Sequence, residues 1–425
     1  MDDKQGSTRR EFLRRTTLAA GATMVAGIQR KAMAQEAASV NGKIGIGMIG
    51  CGGRGSHLTR ELRKLHEEWP EFEIVAVCDV YRPRMERLAK DLGVKGYTDH
   101  MELLQDPKVH VVGIATPDHI HAQQVIDAVK AGKDVYCEKP FTHWRQFDVL
   151  KATVKAVRES GQIFQLGTQG LSDSAWHQMH ALVQDGLIGK PLLAECGYFR
   201  VGDWGERGMP IDDPDVTPGE DLNWEAFLGD APQRDFDVSR FFRWRMYEDY
   251  SGGPVTDLYP HSLTPVVYML NAGIPRIAVG SGGKYRYEER EVPDTFNMFA
   301  DYPENYNITV LGTQGNAYEG TGGRGSGGRI PILRGWDGTL TIREDEIVFE
   351  RVEGVEKRNQ SWKIEHHESV ASHWRNLLEG VQKREQPHSN IDLAERVQTA
   401  LIMGTWAYRN NTAARYDAEK QEILL

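Results

Sequence analysis

The sequence predicts an α/β protein whose first half is a doubly wound parallel sheet. Two observations carry that reading. Between residues 43 and 167, near-continuous apolar runs alternate with amphipathic stretches, the pattern of parallel strands covered by helices on both faces. After about residue 170 the strands alternate apolar and polar residues, which fits a sheet with one open face.

In chain order, strands are expected at 43–50, 73–79, 109–116, 134–137 and 163–167, with helices at 56–68, 83–92, 119–131 and 145–159 between them. A helix over 174–185 stops at Gly186, and a strand follows at 192–200. A long stretch rich in Pro, Gly, Asp and Trp then runs to about residue 250. Several strands lie between 275 and 350, and helices at about 367–382 and 391–410 end the chain. No internal repeat is visible. Gly320 to Arg329 holds six glycines in ten residues and reads as a mobile loop.

The 425 residues carry 51 Lys and Arg against 61 Asp and Glu, a net charge of −10. That length allows two or three domains, and a 40% apolar, 26% charged composition excludes global disorder. Net acidity argues against a nucleic-acid partner, which needs a basic face. Beyond residue 30 no apolar run approaches the ~18 residues that span a bilayer, so the mature chain should not insert in a membrane. Four cysteines are too few for a disulfide scaffold, and Cys51, Cys78, Cys137 and Cys196 read as buried thiols. No Cys/His cluster has metal-ligand spacing, so no metal is expected.

Residues 1–34 read as an address. Arg9-Arg10 precedes Phe12-Leu13, a short, mildly apolar stretch runs from Thr16 to Ile28, and Ala32-Met33-Ala34 is a small-x-small cleavage pattern. This looks like a twin-arginine export signal, implying the export machinery as a partner and a periplasmic destination. Residues 35–42 then form a linker, 43–169 a nucleotide-binding domain and 170–425 a C-terminal domain. Outside the inner membrane no nicotinamide pool recycles a cofactor, so any such cofactor should be held tightly.

Gly50-Cys51-Gly52-Gly53-Arg54-Gly55 is a G-x-G-x-x-G that follows a buried strand and opens a helix. Gly50 permits the tight turn, Gly52 and Gly53 let a pyrophosphate approach the backbone, and Gly55 lets helix and strand pack closely. Arg54 lies in the same loop, and the helix N-terminus supplies N–H donors to phosphate. Asp79 ends the next strand, 24 residues after Gly55, where a carboxylate bonds ribose hydroxyls and repels a 2′-phosphate. NAD is therefore favoured, while Arg82 and Arg84 nearby keep NADP open.

Three further segments place polar groups at strand ends or on one helix. Thr116-Pro117-Asp118-His119-Ile120-His121 follows one strand and Glu138-Lys139-Pro140 the next, where ligands of such sheets bind. In Gly252 to His261, Asp257 and His261 stand four apart and share a face if helical.

Together with Gly186-Leu187-Ile188-Gly189-Lys190-Pro191, these motifs resemble, in order and spacing, the glucose–fructose oxidoreductase / inositol dehydrogenase family (Gfo/Idh/MocA) over about residues 43–410. The resemblance implies a Rossmann domain followed by a C-terminal α/β domain on a large open, mostly antiparallel sheet that commonly pairs subunits into homo-oligomers. It also implies oxidation or reduction of a sugar, cyclitol or related polyol through bound NAD(P). Lys139 would then sit between nicotinamide and substrate, and His261 would be the general acid/base, with Asp257 orienting substrate or imidazole. Glu138 would position Lys139 or the nicotinamide ribose, Pro140 is often cis in the family, and Thr116, Pro117 and His121 would flank the cofactor. Many relatives carry another Asp three residues after the histidine, where this chain has Thr264.

The substrate side is less specific. Trp204, Trp224, Trp244 and Tyr247 crowd the approach to Asp257, with Arg243 and Arg245 among them, and aromatic rings suit sugar faces while arginines suit hydroxyls. Trp244, Arg243, Arg245, Tyr259 and His177 are the candidate substrate contacts, with core packing as the alternative for each aromatic. Three function classes remain. The first is an exported carbohydrate oxidoreductase. The second is a redox-neutral glycoside hydrolase or lyase working through a transient 3-keto sugar, like the family's α-N-acetylgalactosaminidase branch. The third is a non-catalytic sugar-binding relative.

Overall fold

The computed structural model describes residues 42–202, 209–318 and 328–425. The export segment, all of the linker but Gly42, most of the glycine-rich loop and Trp204 lie outside the described residues.

The first sheet holds six parallel strands: β1 (Ile44–Ile49), β2 (Phe72–Cys78), β3 (Lys95–Tyr97), β4 (Val111–Ile114), β5 (Asp134–Glu138) and β6 (Phe164–Gly167). Their order is β3-β2-β1-β4-β5-β6, so the winding reverses between β1 and β4 and opens a crevice at the carboxyl ends. β1, β4 and β5 are buried along their whole length, which is why they read as unbroken apolar runs. The sequence pattern did not predict β3 or the short helix His100–Gln105; three residues at a sheet edge are too few to show a period.

The second sheet has ten strands: β7 (Pro191–Phe199), β8 (Ile277–Gly283), β9 (Thr295–Asp301), β10 (Asn307–Thr313), β11 (Ile332–Gly335), β12 (Gly338–Arg343), β13 (Glu346–Arg351), β14 (Gln360–Lys363), β15 (Ala414–Asp417) and β16 (Glu422–Leu424). The order is β14-β13-β12-β11-β7-β10-β9-β8-β15-β16. β7 and β10 pair in parallel, and the registers around them are antiparallel. Helices Ser174–Gln184 and Tyr259–Leu270 cover one face through Met179, Leu263 and Val267.

The last two helices serve both sheets. Trp374, Leu377 and Leu378 of helix Val370–Lys383 join the core of Met48 and Leu62, and Trp374 stacks on Tyr136 with ring centroids 4.2 Å apart. Helix Ile391–Arg409 gives Ile391, Ala394 and Ile402 to the first domain's core and Leu393, Val397 and Leu401 to the second. The first sheet ends at Gly167 and the second begins at Pro191, while the helices that cover the two sheets do not respect that break in the chain.

The Pro- and Trp-rich stretch folds over the end of β2. Helices Trp224–Leu228 and Val238–Phe242 pack Trp224, Phe227, Phe241 and Tyr250 against Tyr81. Most of its aromatic residues are thus packing.

Candidate active site

The glycine loop builds an open cradle. Gly50 has φ +96°, and a Cβ there would lie 2.6 Å from the Ala115 carbonyl oxygen. A Cβ on Gly55 would fall 1.8 Å from the Gly50 oxygen, so only glycine lets the helix start this close to β1. By contrast, a Cβ on Gly52 would meet only the Arg84 guanidinium, at 3.4 Å, and one on Gly53 nothing within 4 Å. The first turn of helix Gly53–Glu68 carries no side-chain cap and no acidic residue, so its N–H groups and positive end face that space. Asp79 braces the loop: its Oδ2 accepts from Cys51 N at 2.7 Å and its Oδ1 from Tyr81 N at 2.9 Å. An anionic dinucleotide fits this donor set, with the glycine loop on the phosphates and Asp79 on the ribose.

From the cradle a cleft of about 940 Å³ runs across the ends of β1, β4 and β5 into the second domain. Gly50, Gly52, Gly53, Arg54, Asp79, Thr116 and Pro117 line its cofactor end. Lys139, Trp244, Arg245, Asp257 and His261 also line the cleft, and Glu138, bonded to Arg54, joins the two groups. Glu138 is buried at the end of β5 and accepts from Arg54 Nε at 2.7 Å and from the Tyr136 hydroxyl at 3.2 Å. Burial works against its charge, but Arg54 and Lys139 prevail and hold its carboxyl below the ordinary range. Arg54 is thereby tied to β5 as well as to the loop. The Lys139–Pro140 peptide is cis.

Lys139 Nζ donates to Asp257 Oδ1 at 2.9 Å and to the Asp257 carbonyl at 2.7 Å. Arg245 Nε adds a second contact to Oδ1 at 3.3 Å, with its guanidinium stacked on Trp244 at 4.2 Å. Burial would raise the Asp257 carboxyl, yet Lys139, Arg245 and Arg200 outweigh it and keep it ionised well below the carboxylate range. Asp257 and His261 do not share one continuous helix. Pro254–Asp257 ends at Leu258, and a second helix begins at Tyr259 with Pro260 in its first turn; the His261 amide bonds the Leu258 carbonyl at 3.1 Å. His261 still reaches the cleft. Its Nδ1 is buried without a partner among the described residues, and burial, then Lys139 and Arg54, push its pKa well below the usual histidine value. The imidazole is therefore neutral at neutral pH.

Five of the residues singled out from the sequence lie away from the cleft. Arg82 sits on the first turn of helix Arg82–Leu92 but points outward, donating to the Glu220 carbonyl and pairing with Asp221 at 3.4 Å. Arg84, two residues on, lines the cradle instead and bonds Asp212 at 2.7 Å. Arg243 donates to the Met209 carbonyl at 3.0 Å rather than facing substrate space. Tyr259 is fully buried in the second core, with its hydroxyl on the Phe296 carbonyl. His177 bonds the Tyr268 hydroxyl and the Leu171 carbonyl, both at 2.8 Å, and does not line the cleft. His121 lies beneath the site, its ring nitrogens 2.8 Å from the Pro140 and Thr116 carbonyls, and so ties the two strand-end segments together without lining the cleft. Tyr198 and Arg200, absent from the sequence-derived candidates, do line it, as does Asp118, which the sequence names only within the polar segment after β4 and gives no role. Asp118 follows Thr116-Pro117 directly, and Arg200 ends the β7 segment; position at a strand's carboxyl end is the signal that could have found them. Burial, opposed by Arg245 and reinforced by the charge of Asp257, pushes the Asp118 carboxyl up to about 7.

Residues 44–168 match the oxidoreductase family with an NAD-binding Rossmann fold, and residues 173–276 match its C-terminal alpha/beta domain, together more than half of the chain. The chain belongs to the Gfo/Idh/MocA oxidoreductase family. It is 30% identical over 174 residues to scyllo-inositol 2-dehydrogenase (NAD(+)) of Bacillus subtilis, a span of 40% of this chain and 46% of that one. Inositol 2-dehydrogenase of Rubrobacter xylanophilus is 29% identical over 201 residues, 47% and 52% of the two chains. The chain thus spans about half the length of the curated relatives it matches. Levoglucosan dehydrogenase, solved with NADH and levoglucosan, shares the fold with a TM-score of 0.67 over 88% of this chain and 99% of its own, at 15% identity. The Gfo/Idh/MocA NAD-binding domain coincides with the open cradle, so both its glycine loop and its family assign it to NAD. Among the described residues no helix is long and apolar enough to cross a membrane, and no group of three or more His, Cys, Asp or Glu is placed to hold a metal.

Proposed function

We propose that this protein is an exported oxidoreductase that moves hydride between a hydroxyl-bearing carbon of a sugar, glycoside or cyclitol and a tightly held NAD. The observation that carries the reading is the Lys139–Asp257–His261 constellation, gathered in one cleft with the NAD cradle. The polyol dehydrogenases among its relatives support the substrate class. NAD, when bound, supplies the hydride acceptor. Lys139 has three protons and gives two to Asp257, leaving one for the reacting oxygen of the substrate. Its charge stabilises negative charge developing on that oxygen. Neutral His261 takes the hydroxyl proton as the carbonyl forms, and Asp257 nearby stabilises the imidazolium that results. In reduction the same residues return the proton.

We further propose twin-arginine export from residues 1–34 to the periplasm, and a homo-oligomer in which a second copy covers the open sheet face around Val279 and Phe299, 40% and 50% exposed and paired across β8 and β9. Cell fractionation with Arg9 and Arg10 replaced by lysine tests the first, since export should then fail. Light scattering of Phe299→Lys tests the second.

The redox-neutral hydrolase reading rests on two resemblances to the α-N-acetylgalactosaminidase branch, the export signal and Tyr259-Pro260 beside His261. Tyr259 turns into the core and offers substrate nothing, which favours the dehydrogenase. The deciding experiment incubates the mature protein with NAD and a panel of polyols and glycosides, following product mass and reduced-nicotinamide absorbance together. A keto product matched by NADH is expected. Cleaved glycoside without net NADH would establish the hydrolase instead, and neither product across the panel would contradict both.

A further inference from the structure

Asp118 is a buried carboxyl in the cleft that the constellation does not use. It stands in the turn Asp118–Ile120 directly after β4, is 3% exposed, and lines the same cleft as Lys139, Asp257 and His261. Thr256 approaches the carboxyl, yet Oδ2 has no hydrogen-bond partner among the described residues. Lys139 and Arg245, the cations nearest in effect, are committed to Asp257. Three other carboxylates that line the cleft have strong partners: Asp79 the loop amides, Glu138 Arg54 and Asp257 Lys139. A buried polar atom without a partner is uncommon in proteins, and at a binding cleft the ligand is the natural source of one.

The chemistry of the missing group follows from the site. In its ionised form the carboxylate only accepts, so the ligand bound by that form donates an O–H or N–H. The reacting hydroxyl is already served, its oxygen by Lys139 and its proton by His261. We infer that Asp118 is a specificity-determining residue that accepts, through Oδ2, a hydrogen bond from a hydroxyl of the polyol other than the one oxidised. This rests on the polyol reading above. The same donor chemistry is offered by the carboxamide of a nicotinamide, and the test separates the two sources.

The full chain and its Asp118→Asn and Asp118→Ala variants are compared on the polyol that the wild type oxidises fastest and on that polyol's mono-deoxy analogues. NADH affinity is measured alongside by fluorescence, which also reports that each variant has folded; Asp118→Asn keeps the shape of the side chain while removing its charge. The expected result is a roughly ten- to hundredfold loss of kcat/KM, mostly in KM, with NADH affinity within about threefold of the wild type. One deoxy analogue, poor for the wild type, should be handled by Asp118→Ala about as well as the parent polyol. Unchanged KM in both variants, or an equal deoxy penalty in wild type and variants, would overturn the inference. Weakened NADH binding with unchanged KM would also overturn it and assign Oδ2 to the carboxamide. A wild type that oxidises no polyol would overturn the underlying reading as well.

Discussion

Lys139 donates two hydrogen bonds to Asp257, and on the proposed reading its third N–H is the one that meets substrate. Lys139→Ala should lower kcat by about 10²-fold or more while leaving NADH affinity nearly unchanged, as stopped-flow turnover and NADH fluorescence would show. On the same reading His261 sets the pH profile. Its pKa in the folded protein lies well below the usual histidine value because of burial, then Lys139 and Arg54. It stays unprotonated, and able to accept a proton, as pH falls through the ordinary histidine range. With Asp118, whose carboxyl lies near 7, replaced by Asn, the acid limb of kcat/KM for oxidation should therefore lie well below the ordinary histidine value of about 6.5, and a limb centred on that value would refute the assignment. At this scale the sequence was legible where a motif names both residue and strand end, as with Lys139 and Asp79. It was not where only proximity along the chain was available. Tyr259 and His261 are two residues apart, but a helix turns them to different faces, one into the core and one into the cleft.

The glycine loop makes the case at the level of elements. Gly55 is fixed by packing and Gly53 by access, since a Cβ collides at the first and meets nothing at the second. Gly55→Ala should destabilise the fold by ~2 kcal/mol or more in denaturant unfolding. Gly53→Ala should leave stability within about 0.5 kcal/mol and weaken NADH binding, because the added methyl occupies the cradle. Equal effects of both on stability would contradict this division. The strands and long helices of the first domain were readable because each is buried along its length or on one stripe. The Pro- and Trp-rich stretch was not, because its helices of five residues are too short to show a period and are held by the aromatic cluster. The break at Leu258 was foreshadowed by Pro260, although no spacing rule says that both Asp257 and His261 survive it in one cleft.

For the whole molecule, helix Ile391–Arg409 lies between the two domains with a face in each core, so nucleotide and substrate halves share one structural element. Its apolar character is evident in the sequence, but which sheet it covers is decided by tertiary packing. The molecule's acid response follows from its histidines. Burial brings His119 and His373 to about 4 in the folded protein, against 6.5 ordinarily, and His388, also pressed by His177, to about 4. Between those values the unfolded chain binds more protons than the native one, so stability is present above about pH 6.5 and is lost as pH falls toward about 4. The Asp118 carboxyl, raised to about 7, and those of Asp79 and Asp134, also raised by burial, oppose this, since their protonated forms favour the native state, but His121, His143 and His261, likewise lowered by burial, add to the three. Melting temperature should drop steeply over that window in calorimetry, and a flat profile would contradict the buried neutral histidines.

The central claim is that a carbon of a polyol or glycoside gives its hydrogen to NAD at the Lys139–Asp257–His261 site. It is tested most directly with a substrate deuterated at the carbon to be oxidised, followed by mass spectrometry of the nicotinamide after a single turnover. One deuterium should arrive on the nicotinamide ring with the wild type, and transfer should slow about 10²-fold or more with Lys139→Ala. Turnover without deuterium on the nicotinamide, or equal transfer by the variant, would contradict the account.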